Sequence, residues 1–231
     1  MTQVLSDVVP VARQAAAFIA EEARKGVSSR GRFVVAVSGG HTSWLMLHAL
    51  AREKLPWECV HIVQTDELMT GENDPDRSLP HLRRSLVGNC RLPADQIYPM
   101  PVETQDAETA ISQYTQTLVK LAGTPPVLDL IQLILGSDGH AAALLPEDPV
   151  LDVADAEVAM TVPSAEGRRM TLTFPVLNRA RRVLWIVTGT EKADMFARLR
   201  NADISIPAGR VRYDRAFVLA DCAAAGQLVP R

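Results

Sequence analysis

The sequence has little cysteine: Cys59, Cys90 and Cys222 are the only three among 231 residues. Their odd number, wide spacing and lack of a CxxC pair argue against a disulfide framework and against a zinc site. They fit a reducing, cytoplasmic setting. A surplus of positive charge is missing as well. Lys and Arg total 24 against 27 Asp and Glu, a formal net charge of −3. Nothing in the chain builds the concentrated basic face that nucleic acid or an anionic membrane would demand. No apolar run approaches the roughly 20 residues needed to cross a bilayer. The opening stretch, MTQVLSDVVPVARQAAAFIAEEARKG, carries acids inside its apolar pattern and has no basic start, so no signal peptide is expected. Internal repeats and low-complexity linkers are absent too. The length suffices for one large α/β domain with a substantial core, or for two small ones.

What is present is an alternation of strand-like and helix-like runs. Apolar residues at helical spacing predict helices over Val8–Arg24, Thr42–Arg52, Leu79–Leu86, Thr104–Leu121 and Glu191–Leu199. Strands are predicted at Arg32–Val37, Cys59–Gln64, Leu128–Leu135, Val158–Val162, Met170–Thr173, Val183–Val187 and Phe217–Leu219, with a polar loop from Thr65 to Arg77. Such alternation points to α/β architecture: a mostly parallel, doubly wound, Rossmann-like sheet with helices on both faces. Ligands of these sheets collect beyond the carboxyl ends of strands. Three polar clusters fall at such ends: Ser38-Gly39-Gly40, Thr65-Asp66-Glu67 and Gly136-Ser137-Asp138-Gly139-His140.

Each cluster carries a different chemistry. Ser38-Gly39-Gly40 joins a strand directly to a helix, where free N–H groups and the helix dipole favour an anion. With neither GxxxxGK[ST] nor GxGxxG in place, a single phosphate on a small molecule fits better than a nucleotide. Thr188-Gly189-Thr190-Glu191-Lys192 repeats the device. Lys192 stands in the first turn, where a cation opposes the dipole, a position that makes sense if it helps hold an anion. Asp66 and Glu67 point to opposite faces of a strand, so at most one enters a cleft and the other is left to orient neighbours or cap a turn. In the third cluster two glycines free the backbone and turn Asp138 and His140 towards one point. An Asp–x–His pair there offers an imidazole base with a carboxylate to fix its tautomer. His48 and His61 read as core or surface residues, His81 as a helix-surface residue and His41 as a neighbour of the anion loop. No HExxH or clustered His/Cys set points to a metal.

With these motifs in hand, the chain resembles the glucosamine-6-phosphate isomerase/6-phosphogluconolactonase family. The likeness runs in order through VAVSGGHTS, TDELMTGENDPDRSL, LDLIQLILGSDGHAAALLP, RRMTLTFPVLNRARRVLWIVTGTEK and IPAGRV. DGHxAxLxP is its most specific segment and the RxTLTxPxLN…VTGxEK block its second. The resemblance implies a glucosamine-6-phosphate isomerase-like fold over a single domain, 1–231. It implies a cofactor-free hydrolase of 6-phospho-D-glucono-1,5-lactone in the pentose phosphate pathway. His140 matches the family's general base and Asp138 the acid beside it. Ser38, Gly39, Gly40 and Lys192 match positions around the substrate phosphate, and Arg169 matches the arginine of the RxT motif.

The chain departs from the family pattern at Leu68, where an arginine expected to contact phosphate normally follows Asp-Glu. It departs again at Ser43, Leu79 and Ile134, which replace a proline, an asparagine and a glycine. Arg77, on the same loop as Leu68, is the candidate to supply the missing charge. Two other functions share these features. One is an amino-sugar-phosphate deaminase or isomerase, in which Asp66 abstracts a proton. The other is a non-catalytic sugar-phosphate-binding regulator. The RxTLT and VTGxEK blocks argue against the first, and the retained Asp138–His140 pair against the second.

Overall fold

The computed structural model describes residues 1–72, 74–104, 106–164 and 167–226. The chain opens with a short strand, β1 (Thr2–Leu5), and a long helix, α1 (Val8–Arg30). Asp7 caps α1 by accepting from the Val9 amide at 2.9 Å. The helix runs past its expected end at Arg24 because Gly26 does not interrupt it. The bare backbone of Gly26 packs so close to Phe33 that a Cβ would stand 2.9 Å from Cδ2 of that ring. Next come β2 (Phe33–Val37), α2 (His41–Leu50), β3 (Val60–Gln64), β4 (Asp66–Leu68) and α3 (Ser78–Leu86). The central part holds β5 (Ile97–Tyr98), α4 (Ala107–Ala122), β6 (Leu130–Ile134), β7 (Val158–Met160), β8 (Arg169–Leu172) and α5 (Phe174–Arg179). The chain then forms β9 (Val183–Val187), α6 (Ala193–Arg200), β10 (Ala216–Asp221) and α7 (Cys222–Ala225).

Seven strands form one wholly parallel sheet in the order β1-β10-β9-β6-β2-β3-β5. Strand side chains alternate between its faces. Phe33, Val35 and Val37 join α1, α2 and α3 in one apolar cluster, while Val34 and Ala36 join α4, α5, α6 and α7 in the other. This is the expected doubly wound α/β fold. The strands predicted at Val158–Val162 and Met170–Thr173 take another place. As β7 and β8 they pair antiparallel with β4 in a separate three-stranded sheet. The polar stretch after Thr65 is thus part strand, because Asp66–Leu68 finds a ladder partner that sequence separation hides. The segment predicted as helix from Glu191 starts instead as a 3-10 turn, Thr190–Lys192, before α6.

The strand order fixes where a ligand can sit. From β2 the chain moves outward through β3 to β5, whereas from β6 it moves the other way through β9 to β10. The loops leaving the neighbours β2 and β6 therefore diverge and open a crevice at their carboxyl ends. Ser38-Gly39-Gly40 leaves β2 there, and Gly136 to His140 leaves β6.

Candidate active site

A cleft of about 390 Å³ occupies this crevice. Ser38, Gly39, Gly40, Asp66, Arg77, His140 and Arg169 all line it, so residues from β2, β4, β6, β8 and α3 meet in one place. Asp138 reaches the site through His140. Its Oδ1 lies 2.6 Å from the ring Nδ1 and accepts from the His140 amide at 3.0 Å. An ionised Asp138 accepts from Nδ1–H, which leaves Nε2 as the basic nitrogen. Burial works against that ionisation, but the His140 amide, the ring's charge and its N–H outweigh it and hold the Asp138 carboxyl below its ordinary value.

The glycine before this pair has a steric reason. A Cβ on Gly136 would stand 2.1 Å from His140 Nδ1, so the ring lies where any other residue would put its side chain. Gly136 also donates to the His140 carbonyl at 2.9 Å and accepts from Gly139 at 3.1 Å, closing the turn. Ala142, two residues on, lines the cleft at φ 51°, a left-handed backbone that side-chain-bearing residues seldom adopt.

The start of α2 borders the same cleft as the imidazole. Among the described residues the amides of Gly39, Gly40 and His41 have no protein acceptor, the condition under which a helix N-terminus receives an anion. The loop itself is anchored from below. Ser38 donates its amide to Gln132 Oε1 at 3.1 Å, and its hydroxyl lies 2.8 Å from Thr65 Oγ1. Ser43, at the proline position of the family pattern, adds a hydroxyl bond to the same Gln132 oxygen at 3.2 Å.

The two adjacent carboxylates divide their work. Asp66 turns to the cleft and accepts from Arg169. Glu67 turns away and is fully buried. It accepts from Gln64 Nε2 at 2.8 Å, from its neighbour Leu68 at 3.0 Å, and from the Ser78 and Leu79 amides at 2.9 Å each, which caps α3. Arg77 forms part of the cleft lining, but its side chain is 0% exposed and paired with Glu67 and Glu103. Its Nε and Nη2 have no hydrogen-bond partner among the described residues. Lys192 is not among the residues lining the cleft; it follows β9, the neighbour of β6.

Sequence reasoning missed Trp44, Ser78, His81 and Ile134, all of which line the cleft. His81 stacks on Trp44, with ring centroids 5.4 Å apart and planes at 16°. The one-dimensional signal of Trp44 and His81 is weak, because each sits on a helix whose period fits an ordinary surface position. No group of three or more His, Cys, Asp or Glu side chains able to hold a metal ion occurs among the described residues. No helix among them is long and apolar enough to cross a membrane.

These features define a class: a doubly wound α/β protein whose cleft, lined by a histidine–carboxylate pair and a helix N-terminus, lies at the switch point of a parallel sheet. The chain belongs to the glucosamine-6-phosphate isomerases/6-phosphogluconolactonase family, whose model matches residues 6–219. A 6-phosphogluconolactonase from Synechocystis sp. is 38% identical over 173 residues, covering 73% of this chain and 71% of that protein. Another from Mycobacterium tuberculosis is 33% identical over 216 residues, 87% of each chain. The 6-phosphogluconolactonase of Trypanosoma brucei shares the fold with a TM-score of 0.87 at 23% identity, over 99% of this chain and 98% of its own. A monomeric glucosamine-6-phosphate deaminase shares it too, with a TM-score of 0.83 at 17% identity over 97% and 98% of the two chains.

Proposed function

We propose that this chain is a lactone hydrolase that opens 6-phospho-D-glucono-1,5-lactone to 6-phosphogluconate in the pentose phosphate pathway, with His140 as general base. One observation carries the reading. His140, its Nδ1 held by Asp138, shares a cleft with the unsatisfied amides at the start of α2. A lactone whose phosphate rests on those amides extends its carbonyl carbon towards the imidazole.

In the reaction Nε2 takes a proton from water as the water oxygen bonds to the lactone carbonyl carbon. The tetrahedral intermediate then collapses, the bond from that carbon to the ring oxygen breaks, and the imidazolium returns the proton to the departing oxygen. Asp138 keeps the ring in the working tautomer and offsets its charge while it carries the proton. Ser38, Gly39 and Gly40 form the phosphate cradle, bordered by Arg169 in its pair with Asp66, while Lys192 stays outside the lining and makes no contact in this reading. Arg77 stays enclosed beneath the cleft, its charge met by Glu67 and Glu103. The family likeness to lactonases over most of the chain supports this choice of substrate.

Purified protein given the phosphorylated lactone beside dephosphorylated gluconolactone tests the reading. Faster opening of the phosphorylated compound is expected, above the spontaneous rate. Equal rates would remove the phosphate site from the reading, and no acceleration of either would remove the hydrolase. Ammonia release from glucosamine 6-phosphate would instead identify a deaminase. In the structure, Asp66, the base that reading requires, is already engaged by Arg169.

A further inference from the structure

We infer that His81, stacked on Trp44, is the free side-chain donor that grips the anionic end of the substrate. The inference rests on the sugar-phosphate reading and adds the residue that selects the phosphorylated compound.

A phosphoryl group needs several donors, and the cationic side chains of the cleft are already committed. Arg169 gives two hydrogen bonds to Asp66. Arg77 is enclosed beneath the surface and paired with Glu67 and Glu103. Lys192 lies outside the lining. The other charged or titratable groups lining the cleft are Asp66, Asp76 and His140. That leaves His81, neither of whose ring nitrogens has a hydrogen-bond partner among the described residues.

Its position is the second part of the argument. Ser78 and His81 are three residues apart on α3 and share a face. A Cβ on Gly39 would stand 2.4 Å from Ser78 Oγ and 3.6 Å from Trp44 Cζ2. The first turn of α3 and the Trp44 indole therefore wall the same side of the amide cradle. His81 is held on that wall by its stack with Trp44. His140 stands elsewhere, against Gly136. One imidazole thus serves the reacting end and the other the anionic end. The indole face restricts the His81 ring.

Two variants and a spectroscopic readout test this. His81→Phe keeps a ring against Trp44 but removes the donors. Its KM for the phosphorylated lactone should rise about tenfold, the size expected for one charge-assisted hydrogen bond. The handling of dephosphorylated gluconolactone should not share that loss. His81→Gln, which keeps an N–H donor, should fall between. An unchanged KM in folded His81→Phe, or an equal loss on both lactones, would overturn the inference while leaving lactone hydrolysis intact. Inorganic phosphate should also change the tryptophan emission of the native chain, because Trp44 lines the cleft whereas Trp57 and Trp185 are buried. Trp44→Phe should abolish that response, and a native protein that gave none would count against His81. A response lost in the His81 variants, from a protein that hydrolyses no lactone, would sustain this inference and sink the reaction.

Discussion

Arg169 donates to a single oxygen of Asp66 through two nitrogens, Nε at 3.1 Å and Nη2 at 2.8 Å. The pair spans the antiparallel ladder of β4 and β8, where Asp66 lies opposite Thr171 and Leu68 opposite Arg169. It brings one cation and one anion to the cleft in fixed register. Removing either leaves the other uncompensated in a partly buried place.

Arg169→Ala should therefore raise KM for a phosphorylated lactone by about tenfold or more, because the bare Asp66 carboxylate then repels the phosphate. Asp66→Asn in the same chain should recover part of that loss. The expected coupling is on the order of 1 kcal/mol in a double-mutant cycle of kcat/KM values. Strictly additive effects would show that the two residues act separately on the substrate.

The Asp138–His140 contact gives a prediction on turnover. His140→Ala should lower kcat by about 10²–10⁴-fold with the fold intact, the usual contribution of a positioned base. Asp138→Asn should cost on the order of 10²-fold. An amide turned to donate to Nδ1 moves the ring proton to Nε2, and the base is lost. Stability follows the carboxylate. Its folded-state value is depressed below the ordinary 3.8, so its contribution is present above 3.8 and disappears as pH drops through the lowered value. Melting temperatures of native and Asp138→Asn protein should therefore converge in acid, and a gap that widened there would reverse the sign.

Gly136 allows a sharper test of geometry. Gly136→Ala inserts a methyl group where His140 Nδ1 now lies, at 2.1 Å. The ring must leave its Asp138 partner, so kcat should fall by a factor close to that of His140→Ala, although the imidazole itself is still present. Circular dichroism should show the fold retained. Near-full activity in a folded Gly136→Ala protein would mean that the ring works from another position.

Why some of this was legible in one dimension and some was not follows from the kind of signal involved. The β2 run FVVAV and the β6 run LIQLI are buried on both faces, so the first reads as an unbroken apolar stretch and the second as one interrupted only by Gln132. The polar residues that end them mark the crevice directly. Asp138, Gly136 and His140 were visible together because they lie within five residues of one another. The Asp66–Arg169 pair spans 103 positions and depends on β4, a three-residue strand with no apolar pattern of its own. His81 gave no distinguishing signal, because its partner Trp44 lies on another helix. The enclosure of Arg77 was equally hidden, since it depends on Glu67 and on Glu103, 26 residues away.

Glu67 supplies the last prediction, one about stability. Its carboxylate is 0% exposed and collects four N–H donors: one side chain, its neighbour's amide and the first two amides of α3. It also stands 3.8 Å from Arg77 Nε, and so shares with Glu103 the neutralising of a buried guanidinium. Glu67→Ala strands those donors and leaves a buried cation short of its counter-ion. The expected cost is on the order of 3–5 kcal/mol in chemical unfolding. Glu67→Gln should cost less, because one oxygen still accepts while its new N–H group faces other donors. If α3 is positioned through this carboxylate, the two variants should weaken phosphate binding in the same order as they lose stability, since His81 and Ser78 ride on that helix. Loss of stability with phosphate binding unchanged would separate the cap from the site.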